Sequence, residues 1–307
     1  MTKVFIDGSA GTTGLRIHER LANRKDIELL LLSEERRKET EARREMLNMA
    51  DIAFLCLPDA AAIEAVSLVE NSSTAIIDTS TAHRTNDAWA YGFPELSGAY
   101  EKIKNSKRIA NPGCHASGVV ALVAPLIEKG ILNKDAHLSA FSLTGYSGGG
   151  KKMIAEYEDT ELDMLLNAPR MYGISQKHKH LPEITKICGI SYAPVFCPIV
   201  APYYSGMEVS IPIHASEING SIEDIKNVYR DYYIKGLVKF EENADEEGFM
   251  SACAYEDRDD MQITVCGNDE RIVLVSRFDN LGKGASGAAI QNMNILLGVD
   301  ETTGLNV

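Results

Sequence analysis

The sequence near the start of the 307-residue chain reads Val4-Phe5-Ile6-Asp7-Gly8-Ser9-Ala10-Gly11-Thr12-Thr13-Gly14, an apolar run followed at once by a glycine-rich segment. An amphipathic stretch and a second apolar run over residues 27–32 come next, and this order predicts strand, turn, helix and strand. Three glycines allow the tight turn and close backbone approach that a pyrophosphate at a helix N-terminus requires: Gly8, Gly11 and Gly14. The spacing is GxxGxxG rather than GxGxxG, so an ordinary glycine-rich loop is the alternative. The stretch predicts the βαβ unit of a Rossmann dinucleotide-binding domain.

The residues after the second predicted strand bear on the choice of dinucleotide. An NAD site tends to place Asp or Glu there to hold the ribose hydroxyls, whereas this chain has Ser33 followed by Glu34-Glu35-Arg36-Arg37-Lys38. A hydroxyl and nearby guanidinium groups suit the 2′-phosphate of NADP, although the mixed charges also fit a solvated helix face. We therefore expect NADP as cofactor, with candidate contacts at Gly8, Gly11, Thr12, Thr13, Gly14, Ser33, Arg36 and Arg37.

Further apolar runs continue the alternation of strands and helices. Residues 50–57 predict a third strand, residues 58–69 a helix, and residues 75–78 a fourth strand. Ligands of open α/β sheets gather beyond the carboxyl ends of the strands. Arg84 follows the fourth strand and is therefore a candidate anion clamp, with a surface ion pair as the alternative.

The segment Ile109-Ala110-Asn111-Pro112-Gly113-Cys114 ends an apolar run in a turn, and a long apolar-periodic stretch follows it. This order predicts a cysteine at a helix N-terminus, where unpaired N–H groups and the helix dipole favour the thiolate. Cys114 is therefore a candidate nucleophile. A buried structural cysteine is the alternative.

The pattern changes after the predicted cysteine helix. Alternating runs predict an α+β domain on a largely antiparallel sheet, and a helix is expected over residues 153–168. Residues 144–152 predict a flexible loop that ends in two cations able to hold an anionic group, with a plain linker as the alternative: Lys151 and Lys152. A C-terminal helix is expected to return to the first domain. The predicted domains are thus residues 1–114 with 284–307, and residues 115–283.

The segment His178-Lys179-His180-Leu181-Pro182-Glu183 places two imidazoles and a carboxylate close together in sequence. Histidine titrates near pH 7, so the segment could supply a general acid/base and its orienting partner. A polar turn before a helix is the alternative. The spacing is not that of a zinc site, and we expect no metal.

Composition excludes several classes of protein. The chain carries 31 basic and 44 acidic residues, a net charge of −13, which argues against nucleic acid or an anionic membrane surface as partner. No apolar run approaches the roughly 20 residues of a membrane span. Six scattered cysteines without CxxC spacing favour a reduced, cytoplasmic compartment. An anionic substrate would need local cations to overcome the repulsive overall charge.

Several motifs together resemble one family. The nucleophile turn, the histidine segment and residues 279–287 are similar to those of the N-acetyl-gamma-glutamyl-phosphate reductases of arginine biosynthesis. Further segments resemble the shorter type of that enzyme: residues 5–14, Ile77-Asp78-Thr79-Ser80-Thr81-Ala82-His83-Arg84, Tyr91-Gly92-Phe93-Pro94-Glu95-Leu96 and residues 144–151. The likeness runs in order from residue 4 to residue 298. It therefore covers nearly the whole chain.

The resemblance implies an NADP-binding Rossmann domain and a second domain like that of the glyceraldehyde-phosphate and aspartate-semialdehyde dehydrogenases. It implies that Cys114 attacks an acyl phosphate to give a thioester, which NADPH reduces to the semialdehyde. The histidine segment would act as acid/base, and Asn280 would orient the nicotinamide. We favour His180 over His178 because His180 lies nearer Glu183 in sequence. Substrate contacts are expected at Arg84, Lys151, Lys152 and Glu183.

The chain departs from the family at one place. The family usually follows its cysteine with Tyr-Pro-Thr, whereas this chain has His115-Ala116-Ser117. A cationic His115 would lower the pKa of the neighbouring thiol. We also expect a homo-oligomer, either a dimer or a tetramer. Two alternative functions are another acyl-phosphate reductase, such as an aspartate-semialdehyde dehydrogenase, and a catalytically silent NADP-binding sensor.

Overall fold

The structure is a computed structural model that describes residues 1–161 and 163–307. The chain divides into two compact units. The first unit comprises Met1–Gly113 and Ala285–Leu305, and the second comprises Cys114–Gly284 and Asn306–Val307. Each unit is built around its own sheet.

The first unit alternates strands and helices as the N-terminal sequence predicts. Its elements are β1 (Thr2–Asp7), α1 (Thr12–Leu21), β2 (Ile27–Leu30), α2 (Thr40–Met49), β3 (Ile52–Leu55), α3 (Asp59–Ser67), β4 (Ala75–Asp78), β5 (Ala90–Tyr91), α4 (Ala99–Lys104), β6 (Arg108–Ala110) and a C-terminal helix (Gly287–Leu297). The strands form a parallel sheet in the order β2-β1-β3-β4-β6-β5. The Rossmann fold expected for this part of the chain is confirmed.

Both faces of the parallel sheet are buried. Val4 and Ile6 of β1 pack in a core that includes Met293 of the C-terminal helix, while Phe5 points to the opposite core, which includes Leu47 of α2. Strands that are covered on both faces need near-continuous apolar sequence. This explains why β1, β3 and β4 read as unbroken apolar runs rather than as alternating ones.

The second unit carries a mixed sheet. Its elements are α5 (Cys114–Glu128), β7 (Ser139–Gly145), α6 (Gly150–Tyr157), β8 (Arg170–Met171), α7 (Leu181–Cys188), β9 (Val195–Ala201), β10 (Met207–His214), α8 (Ile222–Tyr232), β11 (Val238–Phe240), β12 (Met261–Gly267) and β13 (Arg271–Phe278). The strand order among the described residues is β11-β12-β13-β10-β7-β9-β8. Two pairs, β7 with β9 and β11 with β12, are parallel, and the other neighbours are antiparallel. The expected largely antiparallel sheet is confirmed.

The helix α5 packs closely against this sheet and thereby fixes the position of Cys114 at its first residue. Gly118 lies where a Cβ would come 2.5 Å from a methyl carbon of Val209 and 2.8 Å from the hydroxyl oxygen of Ser276. Such a distance is too short for a carbon atom, so only glycine allows this approach of helix to sheet. The residues of α5 from His115 to Leu126 are all buried.

Two expectations for residues 144–168 are wrong. The predicted flexible loop contains a 3-10 turn, Tyr146–Gly149, and the first residues of α6, so Lys151 and Lys152 lie on a helix. The helix expected over residues 153–168 ends at Tyr157, and Met164–Asn167 form a separate 3-10 turn. The side chain of Asp163 accepts a hydrogen bond from the N–H of Leu165 at 2.9 Å and caps that turn. Position 162 within this stretch lies outside the described residues.

Candidate active site

A cavity of about 430 Å³ lies beyond the carboxyl ends of β1 and β2 in the first unit. It is lined by the glycine-rich turn over residues 7–11, by residues 30–32, and by the cations Arg37, Lys38 and Arg43. Gly8 has φ +89°, and a Cβ at Gly14 would lie 2.5 Å from the carbonyl oxygen of Gly8. The turn is therefore tight enough for backbone N–H groups to approach an anionic ligand.

The predicted cofactor contacts divide into two groups. Gly8, Gly11 and Arg37 line the cavity. Ser33 and Arg36 are not among the described residues that line it. The guanidinium of Arg36 lies 3.4 Å from Glu39 and 3.8 Å from Glu45. Thr12, Thr13 and Gly14 form the first turn of α1 directly after the cavity-lining residues. Lys38 also lines the cavity; it belongs to the basic run after the second strand but was not among the predicted contacts.

Arg43 is a second cation that the sequence reasoning missed. Its guanidinium lies 3.0 Å from Asp7 at the end of β1 and 3.0 Å from Glu64 of α3. Burial raises the pKa of the Asp7 carboxyl, and the hydrogen bond from Arg43 opposes that rise. The ion pair ties α2 to the strand end that carries the glycine-rich turn. The sequence feature that could have revealed this ion pair is Asp7, the single acidic residue between the apolar run and Gly8.

The segment that leads to Cys114 is held by backbone-directed contacts within the first unit. The N–H of Asn111 donates to the carbonyl oxygen of Asp78 at 2.8 Å. The guanidinium of Arg84 donates to the carbonyl oxygens of Asn111, at 2.9 Å, and Thr79, at 2.8 Å. Arg84 is buried and so joins the segments after β4 and β6. The structure gives Arg84 this structural contact, and its binding of an anion stays a prediction.

Cys114 opens α5 in the second unit and is half-buried. A Cβ at Gly284 would lie 3.0 Å from the Cβ of Cys114, so glycine at that position makes room for the cysteine side chain. Gly284 belongs to a short π-helical segment, Gly282–Ser286, of a kind often found at functional sites. Lys283 in the same segment is buried, and the sequence pattern indicated no role for either Gly284 or Lys283.

Three histidines meet next to the start of α5. The ring centroids of His115 and His178, and of His115 and His180, are 5.6 Å apart, and those of His178 and His180 are 4.8 Å apart. Phe196 of β9 packs edge to face against His115 and His178. The structure therefore brings the predicted histidine segment to the residue that follows Cys114.

The two histidines of the predicted segment differ in their surroundings. His180 is buried and serves as N-cap of α7, whose first turn contains the buried carboxylate of Glu183. His178 is half-buried, and its Nδ1 accepts a hydrogen bond from the N–H of His180 at 3.2 Å. Burial and the nearby charge of Lys179 lower the pKa of His178. Near pH 7 the His178 ring is consequently neutral, with its proton on Nε2.

His115 is not cationic near neutral pH. Burial, followed by the charge of His178 in its protonated form and the charge of Lys179, lowers the pKa of His115 to about 3. Its two ring nitrogens lie 2.6 Å from the hydroxyl oxygens of Ser142 and Tyr172. The ring is neutral at physiological pH, so it does not lower the pKa of Cys114 through a positive charge.

The remaining predicted site residues lie elsewhere in the second unit. Lys151 and Lys152 are exposed on α6, and the ammonium of Lys152 lies 3.9 Å from Glu156. The amide of Asn280 is buried: it donates to the hydroxyl of Ser147 at 3.0 Å and accepts from the N–H of Gly206 at 3.0 Å. Asn280 thus links the 3-10 turn after β7 to β13. The cofactor and substrate contacts proposed for these residues stay predictions.

The part of the chain that the structure describes contains neither a candidate metal cluster nor a membrane-spanning helix. Over residues 1–161 and 163–307, no group of three or more His, Cys, Asp or Glu side chains could hold a metal ion. Within the same residues, no helix is long and apolar enough to cross a membrane.

Two family models match the chain. The model described as "Semialdehyde dehydrogenase, NAD binding domain" matches residues 3–106, and the model described as "Semialdehyde dehydrogenase, dimerisation domain" matches residues 114–280. The chain belongs to the semialdehyde dehydrogenase family. The sequence resemblance to this superfamily is confirmed.

Curated relatives define the member of the family more narrowly. This chain is 44% identical to two proteins named N-acetyl-gamma-glutamyl-phosphate reductase, over 96% of this chain and 99% of theirs. They come from Brucella ovis (strain ATCC 25840 / 63/290 / NCTC 10512) and Brucella suis (strain ATCC 23445 / NCTC 10510). Among solved structures, aspartate semialdehyde dehydrogenase II from Vibrio cholerae is similar with a TM-score of 0.74 at 17% identity, over 97% of this chain and 99% of that one. Aspartate semialdehyde dehydrogenase from Francisella tularensis gives a TM-score of 0.71 at 15% identity, over 97% of this chain and 100% of that one. The solved structures share the fold.

Proposed function

We propose that this chain is an N-acetyl-gamma-glutamyl-phosphate reductase, an NADPH-dependent oxidoreductase that forms N-acetylglutamate 5-semialdehyde and inorganic phosphate. The observation that carries the proposal is the 44% identity to reductases of that name over 96% of the chain. The cysteine at the start of α5 and the histidines beside it supply groups that this reaction needs. This function is preferred over that of the aspartate semialdehyde dehydrogenases, which match at 14–18% identity.

The cavity in the first unit fits the adenosine end of NADPH. The glycine-rich turn leaves space that side chains would fill, and Arg37 and Lys38 present cations to a 2′-phosphate. The glycine-rich turn, with Gly8, would hold the pyrophosphate. When bound, NADPH supplies the hydride that reduces the acyl group.

The chemical steps rest on side chains of the second unit. The sulfur of Cys114 attacks the acyl carbon and the bond to phosphate breaks, which leaves a thioester on the cysteine. The N–H groups at the start of α5 stabilise the oxyanion that forms in each step. After reduction, His180 donates a proton to the thiohemiacetal oxygen and later removes it, so that the C–S bond breaks and the aldehyde leaves. The burial of His180 and of Glu183 in the first turn of α7 supports this choice over His178.

The negative charges of the substrate require nearby cations. The substrate carries a phosphate and a carboxylate, and the chain carries a net charge of −13. Arg84, Lys151 and Lys152 are proposed to offset this repulsion, and Asn280 is proposed to orient the nicotinamide ring. We further propose that the enzyme acts in the cytoplasm, in keeping with six cysteines that are all thiols.

Replacing Arg37 by alanine is expected to raise the KM for NADPH about tenfold, because one guanidinium contact to phosphate is lost. The KM for NADH, which has no 2′-phosphate, should change little. Arg36→Ala is the matched control, since Arg36, unlike Arg37, is not among the described residues that line the cavity. Steady-state kinetics with both cofactors measures the effect. A larger rise in the KM for NADPH in Arg36→Ala than in Arg37→Ala would contradict the assignment.

We also propose that two copies of this chain associate through the outer face of the mixed sheet. Phe141 and Val195 are exposed, at 41% and 56%, on the neighbouring strands β7 and β9. The parallel register places Ser139 beside Val195 and Phe141 beside Cys197, so these side chains share one face. An apolar face of this kind favours burial against a partner, and the matching family model is described as a dimerisation domain.

Phe141→Asp is expected to convert the dimer to a monomer, because a carboxylate buried in the interface would be unpaired. Light scattering after size-exclusion chromatography measures the molar mass. Ile63→Asp is the matched control, since Ile63 is 55% exposed on α3 in the first unit. A monomeric parent protein, or a dimer that persists in Phe141→Asp, would contradict the proposal.

A further inference from the structure

His115 makes two short hydrogen bonds from the first turn of α5. Its Nδ1 lies 2.6 Å from the hydroxyl oxygen of Ser142 on β7, and its Nε2 lies 2.6 Å from the hydroxyl oxygen of Tyr172, which follows β8. The imidazole therefore links a buried serine to a tyrosine that is 36% exposed. Phe196 and His178 pack edge to face against the ring and fix its plane.

The burial of Ser142 decides where the ring proton lies. Among the described residues, the Ser142 hydroxyl makes one side-chain hydrogen bond, and its partner is Nδ1 of His115. A buried hydroxyl that does not donate costs free energy, so Ser142 donates to Nδ1. The ring proton is then on Nε2 and is donated to the oxygen of Tyr172. The O–H of Tyr172 remains able to donate to a further acceptor.

The ring keeps this arrangement across the pH range of a thiol titration, because its charge state does not change there. The ionisable groups that face His115 are His178, Lys179 and His180 from the segment before α7, Tyr172 after β8, and Cys114 on its own helix. Burial, the charge of His178 in its protonated form and the charge of Lys179 keep the pKa of His115 near 3. The ring thus carries a single proton throughout the pH range in which a thiol titrates.

The sulfur of Cys114 is the candidate acceptor, because Cys114 directly precedes His115 at the start of α5 and its charge acts on the Tyr172 hydroxyl. Burial raises the pKa of the Tyr172 phenol, and the charge of Cys114 raises it further. The phenol therefore stays protonated and lies within electrostatic range of the sulfur. A thiolate accepts a hydrogen bond more strongly than a thiol does, so a phenol donor favours the thiolate.

We propose that His115 is a positioning residue that holds the Tyr172 hydroxyl with its proton directed at the sulfur of Cys114. The inference rests on the proposed function, in which Cys114 is the nucleophile. His115 acts without a charge of its own: Ser142 sets its tautomer, and the tautomer turns the tyrosine proton toward the sulfur. Tyr172 is then the residue that contacts the nucleophile.

The test is the pH dependence of alkylation of Cys114 by iodoacetamide, followed by mass spectrometry of the peptide that contains Cys114. Neither substrate nor cofactor is added, so the result does not depend on which acyl phosphate the enzyme reduces. Tyr172→Phe and His115→Phe should each slow alkylation at pH 7 about tenfold and move the profile to higher pH, the effect of losing one hydrogen bond to a charged group. The double variant should be no slower than either single one, because both act through one donor.

Two controls separate this role from general loss of packing. His137 and Tyr192 form another stacked pair in the second unit, with centroids 4.7 Å apart, and His137→Asn and Tyr192→Phe should leave the profile unchanged. His115→Gln keeps an N–H near the place of Nε2 and should alkylate within about threefold of the parent rate. If His115→Phe fails to fold, as judged by circular dichroism, His115→Gln and Tyr172→Phe decide the matter.

Three outcomes would overturn the proposal. The first is a parent-like profile in Tyr172→Phe. The second is a parent-like profile in a folded His115→Phe variant, which would show that Tyr172 acts without His115. The third is a His115→Gln profile as slow as that of Tyr172→Phe. None of these outcomes alters the assignment of Cys114 or of the substrate, so failure of this inference is distinct from failure of the proposed function.

Discussion

Replacing Cys114 by serine is expected to lower the turnover of N-acetyl-gamma-glutamyl phosphate by about three orders of magnitude or more. Serine keeps the size of the side chain, but at neutral pH its hydroxyl is far less ionised than a thiol at a helix N-terminus. The thioester therefore cannot form at a useful rate. Binding of NADPH should be unchanged, because the proposed cofactor cavity lies in the other unit of the chain. Stopped-flow measurement of NADPH oxidation and fluorescence titration of NADPH measure the two quantities.

Cys197→Ser provides the matched control for this variant. Cys197 is also half-buried and lies in the second unit, on β9, where its side chain points to the face opposite that of Phe196. Its replacement should leave turnover within about twofold of the parent, as expected for a substitution outside the chemistry. Retained turnover in Cys114→Ser, or an equal loss in Cys197→Ser, would show that Cys114 is not the nucleophile.

His180→Asn is expected to lower kcat by 10²–10⁴-fold, the range typical of a lost general acid/base. The buried imidazole of His180 at the start of α7 is the group proposed to move the proton of the thiohemiacetal. His178→Asn should lower kcat less, because its neutral ring serves mainly as acceptor for the N–H of His180. Asparagine places an oxygen close to the position of Nδ1 and can keep that hydrogen bond.

His137→Asn, on a ring that stacks against Tyr192, controls for the loss of a histidine in the same unit. The kcat should be measured across pH 5 to 9, so that a shifted profile is not mistaken for a lost group. If His178→Asn abolished turnover while His180→Asn remained active, the roles of the two histidines would be reversed.

Local sequence patterns predicted those elements that are determined by residues close together in the chain. The strand β4 has the predicted bounds. The cap of α8 is equally local: the Ser221 hydroxyl accepts from the N–H of Asp224, and the Asp224 carboxylate accepts from the N–H of Ser221. The order strand, turn, helix and strand at the N-terminus was predicted for the same reason. In each case the residues that determine the element are close neighbours in the chain.

Features that depend on distant partners were not predicted. The short strands β5, β8 and β11 contain two or three residues each and exist through pairing with strands remote in sequence. The ion pair of Asp7 with Arg43 joins residues 36 apart in the chain. The neutral state of His115 likewise follows from burial against β7 and β9, which no pattern around Cys114 reveals.

The departure of this chain from its family illustrates the same limit. Sequence alone showed a histidine beside the nucleophile but left its charge state open. Its enclosure by Ser142, Tyr172 and Phe196 decides the charge state, because burial keeps the ring neutral and leaves a hydrogen-bonding role.

The most direct test of the proposed function is phosphate-dependent reduction of NADP⁺ by the purified enzyme, the reverse of the proposed reaction. The two substrates to compare are N-acetylglutamate 5-semialdehyde and aspartate semialdehyde, at equal concentrations and with phosphate omitted as control. We expect a kcat/KM at least a hundredfold higher for N-acetylglutamate 5-semialdehyde, and no reaction without phosphate. A preference for aspartate semialdehyde, or no turnover of either aldehyde by folded protein, would contradict the proposal.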